Sequence, residues 1–167
     1  TAEKHGYEMK VLNAVESVNE KQKSVLFNKL FKHYKGALQG KKIAVWGLAF
    51  KPETDDMREA SSITLITELV KMGAKIKAYD PKATAEAKHY LRDILDSVLF
   101  VESKYEALKN ADAMFLVTEW KEFRSPDFDE VAKLLQNKII FDGRNQYNGE
   151  KLKELGFEYS QIGVKRS

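Results

Sequence analysis

The sequence predicts an α/β fold, a doubly wound, mostly parallel sheet of about six strands preceded by a long N-terminal helix. Three observations carry that expectation. Short apolar runs alternate with amphipathic stretches from residue 43 to residue 162, so a helix separates each strand from the next. Strands joined in this way cannot be hairpins, so they must be parallel and linked by right-handed crossovers. Residues 7–34 carry one helical stripe instead, and the 167 residues, 43% apolar and 32% charged, suit one ordinary domain plus an appendage.

The stripe is formed by Tyr7, Val11, Val15, Val18, Val25 and Phe31, with Leu12, Leu26 and Leu30 beside them, at a spacing that keeps them on one helix face. Asn19 and Gln22 interrupt it, and Gly36 and Gly40 end the helix. Its C-terminal part, around Val25 to Phe31, is expected to pack on the sheet. Val11, Leu12, Val15 and Val18 lie more than a turn beyond and would face water. Pairing with a second copy is the simplest closed solution, with Asn19 and Gln22 fixing the register across the seam. Fraying of the first turns is the competing outcome. The first strand follows at Ile43–Trp46, then a helix at Ser61–Met72, with Ile63, Leu65, Ile66, Leu69 and Val70 on the buried face and Gly73 closing it. Next come Lys75–Tyr79 (strand), Ala83–Leu95 (helix), Val98–Val101 (strand), Tyr105–Lys109 (helix) and Ala113–Val117 (strand). Phe128–Leu135 (helix), Lys138–Phe141 (strand), Gly149–Leu155 (helix) and Phe157–Ile162 (strand) complete a Rossmann-like domain. The chain therefore divides into a helix over 1–36 and the sheet domain over 41–167.

Composition narrows the chemistry. There is no cysteine, which removes disulfides, thiolate metal sites and thiol nucleophiles, and His5, His33 and His89 are too scattered to cluster on a metal. The net charge of +3 arises from residues 1–40, which hold seven Lys and four Glu, whereas acids and bases balance in the remainder. With the signs mixed throughout, no face is built for nucleic acid. No apolar run approaches the roughly 18 residues of a membrane span, and Thr1–Lys10 has no signal-peptide core, so a cytoplasmic location is expected.

In a parallel sheet, ligands bind beyond the carboxyl ends of the strands. The unusual residues collect there. The first strand is followed by a long polar loop, 47–60, against the two to six residues typical of such a connection. Asp80-Pro81 leaves the second strand, Thr118-Glu119-Trp120-Lys121-Glu122-Phe123 the fourth and Asp142-Gly143-Arg144-Asn145 the fifth. A dinucleotide loop needs G-x-G-x-x-G at the first turn, with an acid about 20 residues on. This chain has a single Gly there and its acid, Asp80, stands 33 residues later, so a complete NAD site within the chain is not expected. Lys51, as a point charge, and Arg144 or Arg58, as planar forks, are the candidates for holding a phosphate. Lys51 and Arg58 could equally only neutralise the acids around them, but the length of the loop favours a binding role. Asp56 and Glu59 have capping-box spacing at a helix start, and Asp80 reads as an N-cap. The Asp55-Asp56 pair lacks a third ligand, so no metal is expected. Trp120 and Phe123 either cover the end of the sheet or stack on a base.

Four ordered motifs, Gly47-Leu48-Ala49-Phe50-Lys51-Pro52-x-Thr54-Asp55-Asp56-x-Arg58-Glu59, Tyr79-Asp80-Pro81, Thr118-Glu119-Trp120-x-Glu122-Phe123 and Phe141-Asp142-Gly143-Arg144-Asn145, resemble the UDP-binding C-terminal part of the UDP-glucose/GDP-mannose dehydrogenase family. The last two look most like its UDP-glucose branch, with the UDP-N-acetylmannosamine and GDP-mannose branches as alternatives. The resemblance covers essentially the whole chain, and residues 1–36 look like the end of the family's central connecting helix. It implies NAD-dependent oxidation of a sugar C6 alcohol to a carboxylate in two hydride transfers, through thiohemiacetal and thioester intermediates on a cysteine. It also implies an N-terminal domain that holds NAD and a homodimer formed on the long helix. By position, Phe50 and Lys51 would contact the UDP-sugar, Arg144 would lie on the substrate side, and Arg58 would reach the NAD. Met57 and Ala60 stand where many members have Thr and Ser. The Gly-rich NAD turn, the nucleophilic Cys and its Lys and Asp helpers are all missing. The chain is thus expected to bind UDP or UDP-glucose without catalysing, as a C-terminal piece of the enzyme. A non-catalytic nucleotide-binding or dimerisation module is the reading from a different class.

Overall fold

The computed structural model describes residues 2–163, with side chains from residue 10 onward, so the Tyr7 and His5 side chains and residues 164–167 of the expected domain lie outside the described residues. Six strands form one sheet: β1 (Lys42–Trp46), β2 (Lys75–Tyr79), β3 (Val98–Phe100), β4 (Ala113–Leu116), β5 (Ile139–Asp142) and β6 (Glu158–Gln161). Their order is β3-β2-β1-β4-β5-β6. All five pairings are parallel, so the chain winds outward from β1 to β3, crosses back, and winds outward again from β4 to β6. β4 and β5 are buried at every position, and β1 at all but its first, as a sheet covered by helices on both faces requires.

The N-terminal helix is interrupted once. It runs as α1 (Ala2–Lys23) and resumes as α2 (Val25–His33), with Ser24 between them. The Ser24 N–H bonds the carbonyl of Lys21, three residues back, a tighter turn than the α-helical repeat, where a single unbroken helix was expected. The interruption falls where the chain passes from open helix to core contact, since Leu26 and Leu30 are buried while Val11, Leu12, Val15 and Val18 are each half exposed or more. Phe31 contributes less to the core than expected and stays 38% exposed. Gly36 takes a left-handed φ of 80° and donates to the carbonyl of Phe31, closing α2 as the sequence anticipates.

α3 (Ser61–Lys71) buries Leu65, Ile66 and Leu69, with Ile63 and Val70 half-buried beside them. Gly73, at φ 84°, ends it. The helix expected over 83–95 is shorter, α4 (Thr84–Tyr90) followed by a 3₁₀ segment at Arg92–Ser97. The change of winding lets Leu91 turn into the core while Leu95 stays exposed. α5 (Lys104–Leu108), α6 (Phe128–Leu134) and α7 (Gly149–Glu154) fall where the sequence places them, α6 capped by the Asp127 side chain and α7 by Asn148. Trp46, Tyr79, Leu116 and Asp142 stand in one register row at the carboxyl edge, so the loops that leave β1, β2, β4 and β5 start side by side.

Candidate functional site

Three of these four loops are knitted together by one carboxylate. Asp80, just after β2, is 4% exposed. Its Oδ2 accepts from the N–H groups of Leu48 (2.7 Å) and Ala49 (3.1 Å) in the β1 loop and from Trp120 Nε1 (3.1 Å) in the β4 loop. Its Oδ1 accepts from the N–H groups of Lys82 (2.9 Å) and Ala83 (2.8 Å). Asp80 is therefore not the N-cap expected of it, since that position of α4 is Ala83 and has no side-chain cap; Oδ1 instead holds the turn that leads to α4, while Oδ2 serves the site. Thr118 Oγ1 donates to the Ala49 carbonyl and Ser62 Oγ to that of Leu48. Gly47 makes this closeness possible. Its φ is 85°, and a Cβ there would lie 2.6 Å from the Thr118 nitrogen.

The same geometry decides whether a dinucleotide fits at the first turn. The N–H groups that would reach a pyrophosphate already bond Asp80, and α3 begins only at Ser61, far beyond the turn. The residues present do not fit that group.

The β5 loop is held in a parallel way. Asp142 is fully buried. Its Oδ1 accepts from the Arg144 N–H (2.8 Å), and its Oδ2 accepts from the Gln146 N–H (2.7 Å), the Tyr147 N–H (3.1 Å) and Tyr159 Oη (2.7 Å). Tyr147 Oη donates to the Phe123 carbonyl at 2.6 Å. Burial, with Asp142 nearby, pushes the Tyr147 and Tyr159 phenols well above their ordinary range. At Gly143 a Cβ would meet Leu26 Cδ1 at 2.8 Å and the Leu116 carbonyl at 2.9 Å, so the missing side chain lets α2 come down onto the loop.

Between this edge and the end of α1 lies a cavity of about 700 Å³. Phe50 and Arg144 line it, together with Glu119 and, from α1, Asn19, Gln22 and Lys23. Phe50 is 48% exposed. The Arg144 guanidinium is held by the Glu119 carboxylate through both Nε and Nη2. Lys51 does not line the cavity but adjoins it, its Nζ 5.5 Å from the centre of the Phe50 ring. Arg58 stands apart from the cavity lining, its side chain 80% exposed and its Nε and Nη2 on the two oxygens of Asp56 at 3.0 and 2.8 Å. That guanidinium, with the Arg58 N–H, holds the Asp56 carboxyl down at about 2.

One reading of this region is corrected. Asp56 and Glu59 do not form a capping box, because α3 starts after Ala60, Glu59 sits at φ 59°, and its carboxylate bonds Lys23 Nζ at 2.5 Å. Lys23 also bonds Glu20 at 2.8 Å, so the pair ties α1 to the β1 loop. That contact depresses the Glu59 carboxyl, while Glu20 and then Glu59 raise the Lys23 ammonium. Asn19 and Gln22, the two polar residues that break the apolar stripe, line the cavity. Trp120 and Phe123 are both buried, Phe123 stacked on Trp46 at 5.1 Å, so they cover the end of the sheet. Glu119, Asp80 and Asp142 stand at the edge where the sequence puts them, but the bonds they make there were not anticipated.

Fold and edge together define a Rossmann-like domain whose candidate crevice is lined by side chains, with no glycine-rich loop at its first turn. Residues 44–149 match the UDP binding domain of the UDP-glucose/GDP-mannose dehydrogenase family, and the chain belongs to that family. It is 43% identical to a UDP-glucose 6-dehydrogenase of Pseudomonas aeruginosa, covering all of this chain and 37% of that protein. Among solved structures, a UDP-glucose dehydrogenase from Pyrobaculum islandicum superposes with a TM-score of 0.75 at 29% identity, over 98% of this chain and 34% of the other. A UDP-D-ManNAc dehydrogenase from Pyrococcus horikoshii gives 0.64 at 27% identity, over 89% and 31%. The chain spans about a third of the length of each.

Proposed function

We propose that this chain is the UDP-binding C-terminal part of an NAD-dependent UDP-glucose 6-dehydrogenase, which oxidises UDP-glucose to UDP-glucuronate. The cavity at the carboxyl edge of β4 and β5, with Phe50 and Arg144 in its wall and Lys51 at its rim, is the observation that carries this reading. Phe50, Lys51 and Arg144 face the UDP-sugar. Arg58, turned outward on Asp56, is left to meet NAD held mainly by an N-terminal domain of the same enzyme. The chain has no cysteine and its first turn has no free pyrophosphate donors, so it contributes binding and not the reaction. Gripping the nucleotide lets remote binding energy position the reacting carbon. Residues 1–36 form the connecting helix and 41–167 the binding domain, and the exposed Val11, Leu12, Val15 and Val18 support a homodimer. No described helix is long and apolar enough to cross a membrane, and the location proposed is the cytoplasm.

Calorimetric titration with UDP tests this. Lys51→Ala and Arg144→Ala should each weaken binding about ten- to a hundredfold, the loss expected for one charge-assisted phosphate or hydroxyl contact. Arg58→Ala should leave UDP binding nearly unchanged. Equal affinity in all three variants contradicts the assignment.

A further inference from the structure

The charges on the cavity wall cancel. Lys23 is bonded to Glu59 at 2.5 Å and Arg144 to Glu119, and these are the four charged residues among its described lining. The other polar groups there are amides and a hydroxyl, those of Asn19, Gln22, Asn145 and Ser61. Glu119 Oε2 is buried, and the Arg144 Nε is what it faces. A phosphate that pulled Arg144 away would leave that buried oxygen without the cation it faces, in a carboxylate whose side chain is only 21% exposed, and this loss opposes what the phosphate contact returns. Arg144 therefore stays paired and offers only its remaining N–H groups to a ligand. Lys51, by contrast, is exposed and makes no ion pair with a described residue.

Building on the nucleotide-binding reading above, we propose that Glu119 is a positioning and selectivity residue: by keeping Arg144 paired, it makes the cavity a site for the uncharged, hydroxyl-bearing part of the ligand and leaves the diphosphate to Lys51 at the rim. The cavity wall then recognises hydroxyl and carbonyl groups through fixed amide and guanidinium donors. Charge is met outside, where water still screens it.

Glu119→Gln keeps the size of the side chain and one acceptor while removing the negative charge. Inorganic pyrophosphate and uridine are the probes, titrated into the 167-residue chain. Unmasking one cation within about 4 Å of a bound anion should tighten pyrophosphate binding in Glu119→Gln by about tenfold or more. Uridine binding should hold or weaken, so the preference between the two probes reverses in favour of the anion. In the wild-type protein UDP should bind more tightly than uridine, and Lys51→Ala should remove most of that margin. This second arm does not depend on the folding of Glu119→Gln. A lower thermal midpoint with an unchanged pyrophosphate-to-uridine ratio gives Glu119 a packing role only and overturns the inference, as does a margin that survives Lys51→Ala. No UDP binding to the wild-type protein overturns the nucleotide reading itself, and this inference with it.

Discussion

Asp80 and Asp142 show how much of a binding edge can depend on single buried carboxylates. Asp80 accepts five hydrogen bonds from three loops and Asp142 accepts four, including one from the Arg144 backbone. Asp80→Ala leaves the Leu48 and Ala49 N–H groups and the Trp120 indole without an acceptor, and should destabilise the fold by about 3–5 kcal/mol. Urea denaturation checks this, and Asp80→Asn should recover only part of the loss, because its amide NH₂ meets donors on one side. A second expectation concerns alkali. Tyr79, half-buried and beside Glu122, has its phenol pushed from 10.0 up to about 12, and Tyr147 and Tyr159 are raised further. Folding thus favours the protonated phenols. The stabilisation is complete below pH 10.0 and lost as pH rises through about 12, so unfolding should track tyrosinate absorbance in that window. The opposite shift at Asp56, down from 3.8 to about 2, makes its pair with Arg58 a contribution that is fully present above pH 3.8 and is lost as pH falls through about 2.

Most elements were legible in the sequence because their periods differ and their ends are marked. The sheet reads as short apolar runs, and Gly36 and Gly73 stop helices exactly where positive φ is needed. Breaks without a Gly or Pro were not legible: neither Ser24 nor Leu91 carries a local signal, since both breaks answer to where the core lies. The long-range bonds of Asp80 and Asp142 were hidden for a related reason, because a side chain's distant partners depend on strand order and register. Two glycines separate local strain from packing. Gly40, at φ 75° with nothing within 4 Å of a Cβ, should accept Ala at about 1–2 kcal/mol. Gly47, at φ 85° against the Thr118 backbone, should lose about 2–4 kcal/mol with Ala, and thermal denaturation of the pair measures the difference. At α1, the exposed stripe makes association a strong gain before entropy is subtracted. Sedimentation at micromolar concentration should show a dimer that Val15→Asp dissociates, whereas a 19.1 kDa monomer at every concentration contradicts the helix seam.

At the scale of the whole molecule, six parallel strands bring the loops of the proposed site to one edge of the sheet. The charged motif loop, the aromatic cover and the Asp-Gly-Arg turn all leave strands whose last residues share one register row. On the proposed function the hydride acceptor and the nucleophile come from elsewhere, so the purified chain should reduce no NAD with UDP-glucose, and turnover in a contaminant-controlled sample contradicts the proposed division of labour. The central claim is that UDP binds at this edge. Amide chemical-shift mapping during a UDP titration of the isotope-labelled chain tests it most directly. Saturable shifts concentrated at 48–51, 117–119 and 143–145 and at the end of α1 are the result this account predicts. Shifts confined to the opposite edge of the sheet, or none at saturating UDP, would contradict it.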